Sequence, residues 1–206
     1  MTDAAERAFE VRHVQLGRAL LAAVAAVMIT FSPDHSAGVG LAIFSGWAIA
    51  TALILLISAW LVSPQGRRGA PILLGALTLV AGMITGIPGI RSVTLYFVVV
   101  IVWAFATGIA ELAFGISARR AEGPARDEAR DRILIGAFTI ALGVGLLLVN
   151  PAYSLEYFIS DANQTFTLTG ITIGVGLFGG YAAIIAVFLG IAGLSPRRPA
   201  TVEESA

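Results

Sequence analysis

The chain has 206 residues, of which 57% are hydrophobic and 13% are charged, and its mean hydropathy is +0.88. Soluble domains average about 45–50% apolar and about 25% charged residues, so this composition excludes a soluble globule and a disordered chain. The 13 basic and 13 acidic residues cancel and no cysteine is present, which argues against nucleic-acid binding, disulfides and thiolate chemistry. The composition predicts an integral membrane protein.

Six apolar segments follow one another along the chain. A transmembrane helix needs about 20 mostly apolar residues, and continuous rather than alternating apolar runs exclude a membrane β-barrel. The sequence therefore predicts an all-α, polytopic membrane protein with six transmembrane helices in contact with the lipid bilayer. The predicted spans cover 14–32, 37–62, 71–89, 92–117, 133–150 and 166–194.

Short and long segments alternate, and a proline follows each short segment. This pattern predicts a tandem repeat of one two-helix unit within a single membrane domain. Because each unit has an even number of spans, a pseudo-threefold bundle is one arrangement and unsymmetrical packing is another. The three hairpins cover 14–62, 71–117 and 133–194, and the tails cover 1–13 and 195–206.

The basic residues predict the orientation of the chain. All of them are arginines, and twelve of the 13 fall on one side of the predicted spans, with Arg91 on the other. The positive-inside rule then places both termini in the cytoplasm of a plasma-membrane protein. On the outer side, loop 151–165 carries Tyr153, Tyr157 and Phe158 at helical spacing, which predicts a short helix at the lipid interface.

Glycines in the sixth segment match the dinucleotide-binding fingerprint in form only, because that motif requires a soluble βαβ unit and a downstream acidic residue. Glycines four residues apart instead let two helices approach closely. We expect the sixth helix to lie at the centre of the bundle or at an interface for self-association or for other membrane proteins. The predicted helix-packing residues are Gly82, Gly86, Gly170, Gly174, Gly176 and Gly180.

Glu111 is the one acidic residue deep within a predicted span, and Arg18 lies at a similar depth in the first span. A charged side chain in hydrocarbon costs about 2.5–3.5 kcal/mol on insertion scales, so an intramembrane acid is a functional candidate. Three interpretations are open. The two residues form a structural ion pair, or Glu111 is a protonated bystander, or Glu111 serves proton-linked or substrate-contacting chemistry.

The sequence offers no evident catalytic, metal-binding or cofactor-binding residues. The two histidines, His13 and His35, lie outside the spans, so the bilayer holds neither a histidine pair for a metal nor a Ser–His arrangement. The hydroxyl residues within the spans can satisfy their own helix backbones. We therefore expect neither an enzyme nor a cofactor.

The middle hairpin carries a distinctive pattern over 70–120. It consists of Ile72-Leu73-Leu74-Gly75-Ala76-Leu77, Ala81-Gly82, Pro88, Trp103 and Gly108-Ile109-Ala110-Glu111-Leu112. This pattern resembles the short repeat of the HdeD-like acid-resistance membrane proteins, which are small six-span bacterial proteins built from two-helix repeats. In the third hairpin Gly193 stands where Glu111 would align. The resemblance implies a stress-response role and no catalytic or ligand-binding residue.

Together these features predict a non-enzymatic inner-membrane protein with an acid-stress-related or scaffolding role in the bacterial envelope. The alternative is a small transporter or channel with Glu111 as its intramembrane polar element. A pathway predicts a water-filled cavity touching Glu111, whereas a scaffold predicts a dry core packed by glycine.

Overall fold

The computed structural model describes residues 10–63, 68–119, 124–160 and 163–195. Over these ranges the chain forms six α-helices, each of which contains a stretch long and apolar enough to cross a membrane. The prediction of an all-α, six-span membrane architecture is confirmed, and the chain is a multi-pass integral membrane protein. The helices are α1 (Val11–Phe31), α2 (Ala37–Leu61), α3 (Gly69–Gly86), α4 (Val93–Ser117), α5 (Pro124–Leu148) and α6 (Gly170–Leu194).

Part of the orientation argument rests on residues outside the described ranges. The tails 1–9 and 196–206 lie outside them. The arginines outside them are Arg7, Arg67, Arg120, Arg197 and Arg198.

Hydroxyl side chains begin the three even-numbered helices. Ser36, Ser92 and Thr169 are the N-cap residues of α2, α4 and α6, and each side chain accepts a hydrogen bond from the backbone N–H three residues on. Such caps satisfy amide groups that the first helical turn leaves unpaired. All three caps lie at the same end of the bundle, since α2, α4 and α6 run in the same direction.

The loop before α6 folds differently from the sequence prediction. The predicted surface helix is wrong, because β1 (Ser154–Ile159) and β2 (Gln164–Thr169) form an antiparallel hairpin with exposed side chains. Tyr157 pairs with Phe166 across the strands, and their rings stack at 6.0 Å. Alternating threonines in β2 have the period of a strand, and this preference prevails over the helical spacing of the aromatic residues in the loop.

Several helix boundaries also differ from the predicted spans, and three of them have a clear local cause or consequence. The sixth helix begins at Gly170 rather than at 166 because β2 uses the intervening residues. The third ends at Gly86 because Pro88–Ile90 forms a turn of 3-10 helix. The fifth begins at Pro124, before its apolar segment, so its first turns carry charged residues.

The helices close into a ring. The most extensive contacts join α1 to α6, α2 to α3, and α4 to α5, and smaller contacts join α1 to α2, α3 to α4, and α5 to α6. Consecutive hairpins therefore pack together more tightly than the two helices within one hairpin. Helix α2 also contacts α4 and α6, so these three helices surround the axis of the ring.

Glycine allows the close approach at each of the three tight interfaces. A Cβ atom added to Gly82 would lie 2.9 Å from Ile49 Cγ1, and one added to Gly136 would lie 2.8 Å from the backbone oxygen of Gly108. A Cβ at Gly179 would lie 2.7 Å from Ile29 Cγ2. Such small residues are how membrane helices gain van der Waals contact without a hydrophobic driving force.

The glycines predicted to pack helices divide into two groups. Gly86 and Gly174 lie close to side chains of other helices, as Gly82 does, and Gly170 lies against the backbone oxygen of Asn150. By contrast, a Cβ at Gly176 or Gly180 would meet no atom of the described residues within 4 Å. These two glycines face outward from α6 and take no part in packing among the described residues.

Candidate functional site

The bundle has two ends that differ in character. Gly193 of α6 packs against Leu16 of α1, so the start of α1 and the end of α6 share one end, which we term the terminal end. The β-hairpin and the caps of the even-numbered helices lie at the other, which we term the loop end.

Five aromatic side chains close the axis of the ring towards the loop end. We call them the aromatic cluster: Phe44 and Trp47 of α2, Trp103 of α4, and Phe178 and Tyr181 of α6. The Trp47 ring lies 5.3 Å from both Trp103 and Phe178, mostly edge to face, which is a favourable arrangement for aromatic quadrupoles. All five are buried, so they leave little room for water along the axis at this level.

Three charged side chains lie on the terminal side of the aromatic cluster. Arg18 Nη2 lies 3.9 Å from Glu111 Oε1, and Arg132 Nη1 lies 3.9 Å from Glu111 Oε2. These distances allow electrostatic attraction but are too long for direct hydrogen bonds. We call this group the charged cluster, and it brings α1, α4 and α5 together at one point.

The structure thus brings together Arg18 and Glu111, as the matched depths in the sequence suggest, and adds Arg132. Arg132 lies just before the predicted fifth span, where composition marks a loop. It reaches Glu111 because α5 begins near 124 and carries its charged residues into the bundle. The available signal was the position of Arg132 directly before an apolar run, where a long side chain can extend along the helix.

A vestibule of about 600 Å³ lies at the terminal end and reaches the charged cluster. The ends of five helices line it, together with Leu189 of α6. Across it, the side-chain amide of Gln15 donates a hydrogen bond to Asp131 Oδ2 at 3.0 Å. The vestibule therefore contains both charges and amide groups, unlike the glycine-packed interfaces that surround it.

A smaller inner chamber of about 30 Å³ continues from the charged cluster to the aromatic cluster. A cavity holds a water molecule when about 10–15 Å³ is open to the centre of a water-sized sphere, so this chamber has room for two or three. Arg18 and Glu111 line both the vestibule and the chamber. Four threonines also line the chamber, namely Thr51, Thr78, Thr107 and Thr139.

Three of these threonine hydroxyls already form hydrogen bonds within the protein. Thr107 donates to the backbone oxygen of Trp103 at 2.7 Å and Thr139 donates to that of Ile135 at 2.8 Å, each within its own helix. The indole N–H of Trp103 donates to Thr78 Oγ1 at 3.1 Å. Thr107 and Thr139 therefore pair with their own helices, as expected, whereas Thr78 pairs with another helix and Thr51 with neither.

Five buried polar atoms in the described part of the chain have no hydrogen-bond partner. Buried polar groups in proteins are nearly always hydrogen-bonded, and leaving one unpaired costs about 1–3 kcal/mol. All five belong to residues that line the chamber or the vestibule, so this region is suited to bind polar molecules. The atoms are Gln15 Oε1, Arg18 Nε, Trp47 Nε1, Thr51 Oγ1 and Glu111 Oε2.

Metal binding finds no support in the geometry. Among the residues that the structure describes, no three His, Asp or Glu side chains come together in a way that could hold a metal ion. The chemistry that the site supports is recognition of a polar solute by charges and hydrogen bonds.

The fold and the site define a multi-pass membrane protein with a polar cavity that reaches the bilayer interior from the terminal end. Comparison of the chain with protein-family models, with curated proteins and with solved structures finds no match.

Proposed function

We propose that this protein is a small transporter that receives a polar solute at its terminal end and uses Glu111 as its intramembrane polar element. The observation that carries the proposal is the vestibule of about 600 Å³ that reaches Glu111. A purely structural scaffold would gain nothing from such a cavity, because each buried polar group without a partner lowers its stability.

The closed loop half supports a transporter over an open channel. The aromatic cluster fills the axis beyond the inner chamber, so the solute has access from one end in this conformation. Transporters bind their solute near the middle of the membrane and open to one side at a time. We assign the conformation described here to the state that is open at the terminal end.

We further propose that this protein lies in a bacterial plasma membrane with both termini in the cytoplasm, so that the vestibule opens to the cytoplasm. Described arginines near the terminal end support this orientation, and Arg91 at the loop end is the exception. The arginines at the terminal end are Arg12, Arg18, Arg68, Arg119, Arg130 and Arg132.

A repeated hairpin and membership of the HdeD-like family are a second part of the proposal. Trp47 and Trp103 stand at the same position of α2 and α4, counted from the helix starts, and both rings enter the aromatic cluster. This correspondence supports a two-helix repeat, and the pattern over 70–120 supports the family. An acid-stress role would then be carried out by moving a solute rather than by catalysis, since the charged cluster offers binding groups and no nucleophile–base pair.

Proteoliposomes provide the test of transport. Vesicles that contain the purified protein are shrunk by an osmotic step with small neutral solutes, cation salts or anion salts, and light scattering then reports re-swelling as the solute enters. We expect at least one solute to enter faster than in protein-free vesicles, and Glu111→Gln to abolish the difference.

The matched control is Ile109→Val, which changes a lipid-facing side chain of the same helix and should leave the rate unchanged. If wild-type vesicles take up every solute at the protein-free rate, the transporter proposal is wrong and the scaffolding role is favoured.

A further inference from the structure

The unpartnered groups around the inner chamber differ in what they can bind. The indole Nε1 of Trp47 and the Nε of Arg18 each carry a hydrogen and can only donate, and the unpartnered hydroxyl of Thr51 has a hydrogen to donate as well. Trp47 and Thr51 are both more than nine-tenths buried. Three donors from α1 and α2 therefore line the chamber without an acceptor, and Glu111 Oε2 is the one unpartnered carboxylate oxygen that the described residues place beside them.

The charged cluster favours the same kind of ligand. Two arginines face one carboxylate in it, which leaves one positive charge in excess when all three are ionised. Arg132, Glu128 and Asp131 line the vestibule and not the inner chamber, whose charged lining residues are Arg18 and Glu111. A monovalent anion beside Arg18 would balance the excess charge of the cluster where solvent screening is weak.

The size of the chamber limits the anion. About 30 Å³ accommodates two or three water molecules, which corresponds to a halide or another anion of very few atoms. Amino acids, sugars and nucleotides are larger than this space, although the vestibule would admit them.

We propose that the inner chamber binds a small monovalent anion of halide size, held by Arg18, Trp47 and Thr51 and reached through the vestibule. The inference rests on the proposed transporter function, for which it names the class of solute. Glu111 acts in this arrangement by holding Arg18 and Arg132 near the chamber entrance.

Bromide is the probe for the test, because it quenches tryptophan fluorescence on contact. Trp47 and Trp103 line the chamber, and the exposed Trp60 is replaced in a Trp60→Phe background to remove its signal. Detergent-solubilised protein is titrated with sodium bromide against sodium gluconate at constant ionic strength. We expect quenching that saturates, and a parallel titration with chloride should compete with it.

Two threonines give a matched pair of variants. Thr51 and Thr107 stand at the same position of α2 and α4 and line the same chamber, but only the Thr107 hydroxyl donates to its own helix. Thr51→Val should weaken bromide binding by about tenfold or more, the effect of losing one hydrogen bond to a charged group. Thr107→Val should keep the bromide affinity within about twofold of the wild-type value, because the Thr107 hydroxyl already donates to the backbone of its own helix.

Three outcomes would overturn the anion assignment. Bromide quenching that rises linearly without saturation indicates collision only, and equal effects of the two valine variants indicate binding elsewhere. Saturation that follows sodium at constant bromide indicates a cation at Glu111.

If bromide does not bind but another solute enters the proteoliposomes, the anion assignment fails and the transporter proposal stands. If bromide binds but no solute enters, the site stands and transport fails.

Discussion

The two halves of the bundle are built on the same helices and differ in the side chains that face the axis. Along α2 the axis meets Phe44 and Trp47 in the loop half, and Thr51 and Leu55 in the terminal half. The glycine interfaces run through both halves, so the helices do not separate to form the cavity. A membrane bundle therefore gains internal space here by reducing side-chain size along one face while its helix packing stays tight.

The two halves also treat polar groups differently. In the loop half the hydroxyl of Tyr96 donates to the backbone oxygen of Gly174 at 2.9 Å, and that of Ser45 donates to Gly82 at 2.7 Å. In the terminal half several buried polar atoms have no such partner. Tyr96 and Ser45 in the loop half thus join helices to one another, whereas Arg18, Thr51 and Glu111 in the terminal half each keep a polar atom available to a ligand.

The largest expected effect comes from the packing that both halves share. Gly136→Leu places a side chain where even a Cβ would lie 2.8 Å from the backbone oxygen of Gly108, so α4 and α5 must separate. We expect the free energy of unfolding to fall by about 3 kcal/mol or more, at the upper end for overpacked sites. Unfolding by SDS in mixed micelles measures this change.

The control for this variant is Gly176→Leu, which faces open space in the described part of the chain. It should change the free energy of unfolding by no more than about 0.5 kcal/mol, as for ordinary surface substitutions. An equal loss of stability in both variants would show that outward-facing glycines also pack, for example against a second copy of the chain.

A smaller effect is expected from the charged cluster of the terminal half. Glu111→Gln leaves two arginines without their carboxylate, and removing one partner of a buried ion pair costs about 3–5 kcal/mol. The Arg132 side chain remains 30% exposed and retains access to water. We therefore expect the free energy of unfolding to fall by about 2 kcal/mol, which is less than the cost for a fully buried pair. The same SDS titration applies.

Glu128→Gln is the matched control, since Glu128 also lines the vestibule, whereas the ion pairs of the two arginines within the described residues are with Glu111. Its expected change stays within about 0.5 kcal/mol. If Glu111→Gln is as stable as the wild type, the ion pair has no structural role, and Glu111 serves binding alone.

Variants of Ser45 and Thr51 allow a direct comparison of the polar groups in the two halves. Ser45→Ala removes a hydroxyl that joins α2 to α3, and we expect a loss of about 0.5–1 kcal/mol, the usual net value of one hydrogen bond. Thr51→Val removes a hydroxyl with no partner, so the free energy of unfolding should stay the same or rise. Thermal unfolding in detergent resolves the opposite signs, and a clear loss in Thr51→Val would show that its hydroxyl is bonded within the protein.

The sequence was sufficient for the features that depend on hydropathy and depth. Long apolar runs predicted six helices, and the equal depths of Arg18 and Glu111 suggested that they meet. It failed where two local preferences competed, as in the β-hairpin, and where a helix extended beyond its apolar segment, as in the approach of Arg132. The cavity itself depends on how side chains from six helices meet, which no local pattern in the sequence reports.

The tight helix pairs were missed for a different reason. Glycines four residues apart drew attention to Gly176 and Gly180, which face outward. The interfaces instead use glycines seven residues apart, two helical turns, such as Gly75 with Gly82 and Gly136 with Gly143. Spacing alone does not state which face of a helix meets a partner, because both spacings keep residues on one face.

The smallest structural change gives the sharpest contrast between the halves. The chain has no cysteine, so a single introduced thiol reports its own surroundings. Ser58 and Ser45 are both buried serines of α2, but Ser58 lines the vestibule and Ser45 contacts Gly82 in the loop half. In oriented membrane vesicles, Ser58→Cys should react with a membrane-impermeant thiol reagent from the terminal side and Ser45→Cys should react from neither side.

Labelling of Ser58→Cys that is as slow as that of Ser45→Cys would mean that water does not enter the vestibule, and the contrast between a closed and an open half would then be lost. Labelling of Ser45→Cys from the loop side would instead reveal a second conformation, in which the aromatic cluster opens to the opposite face as alternating access requires.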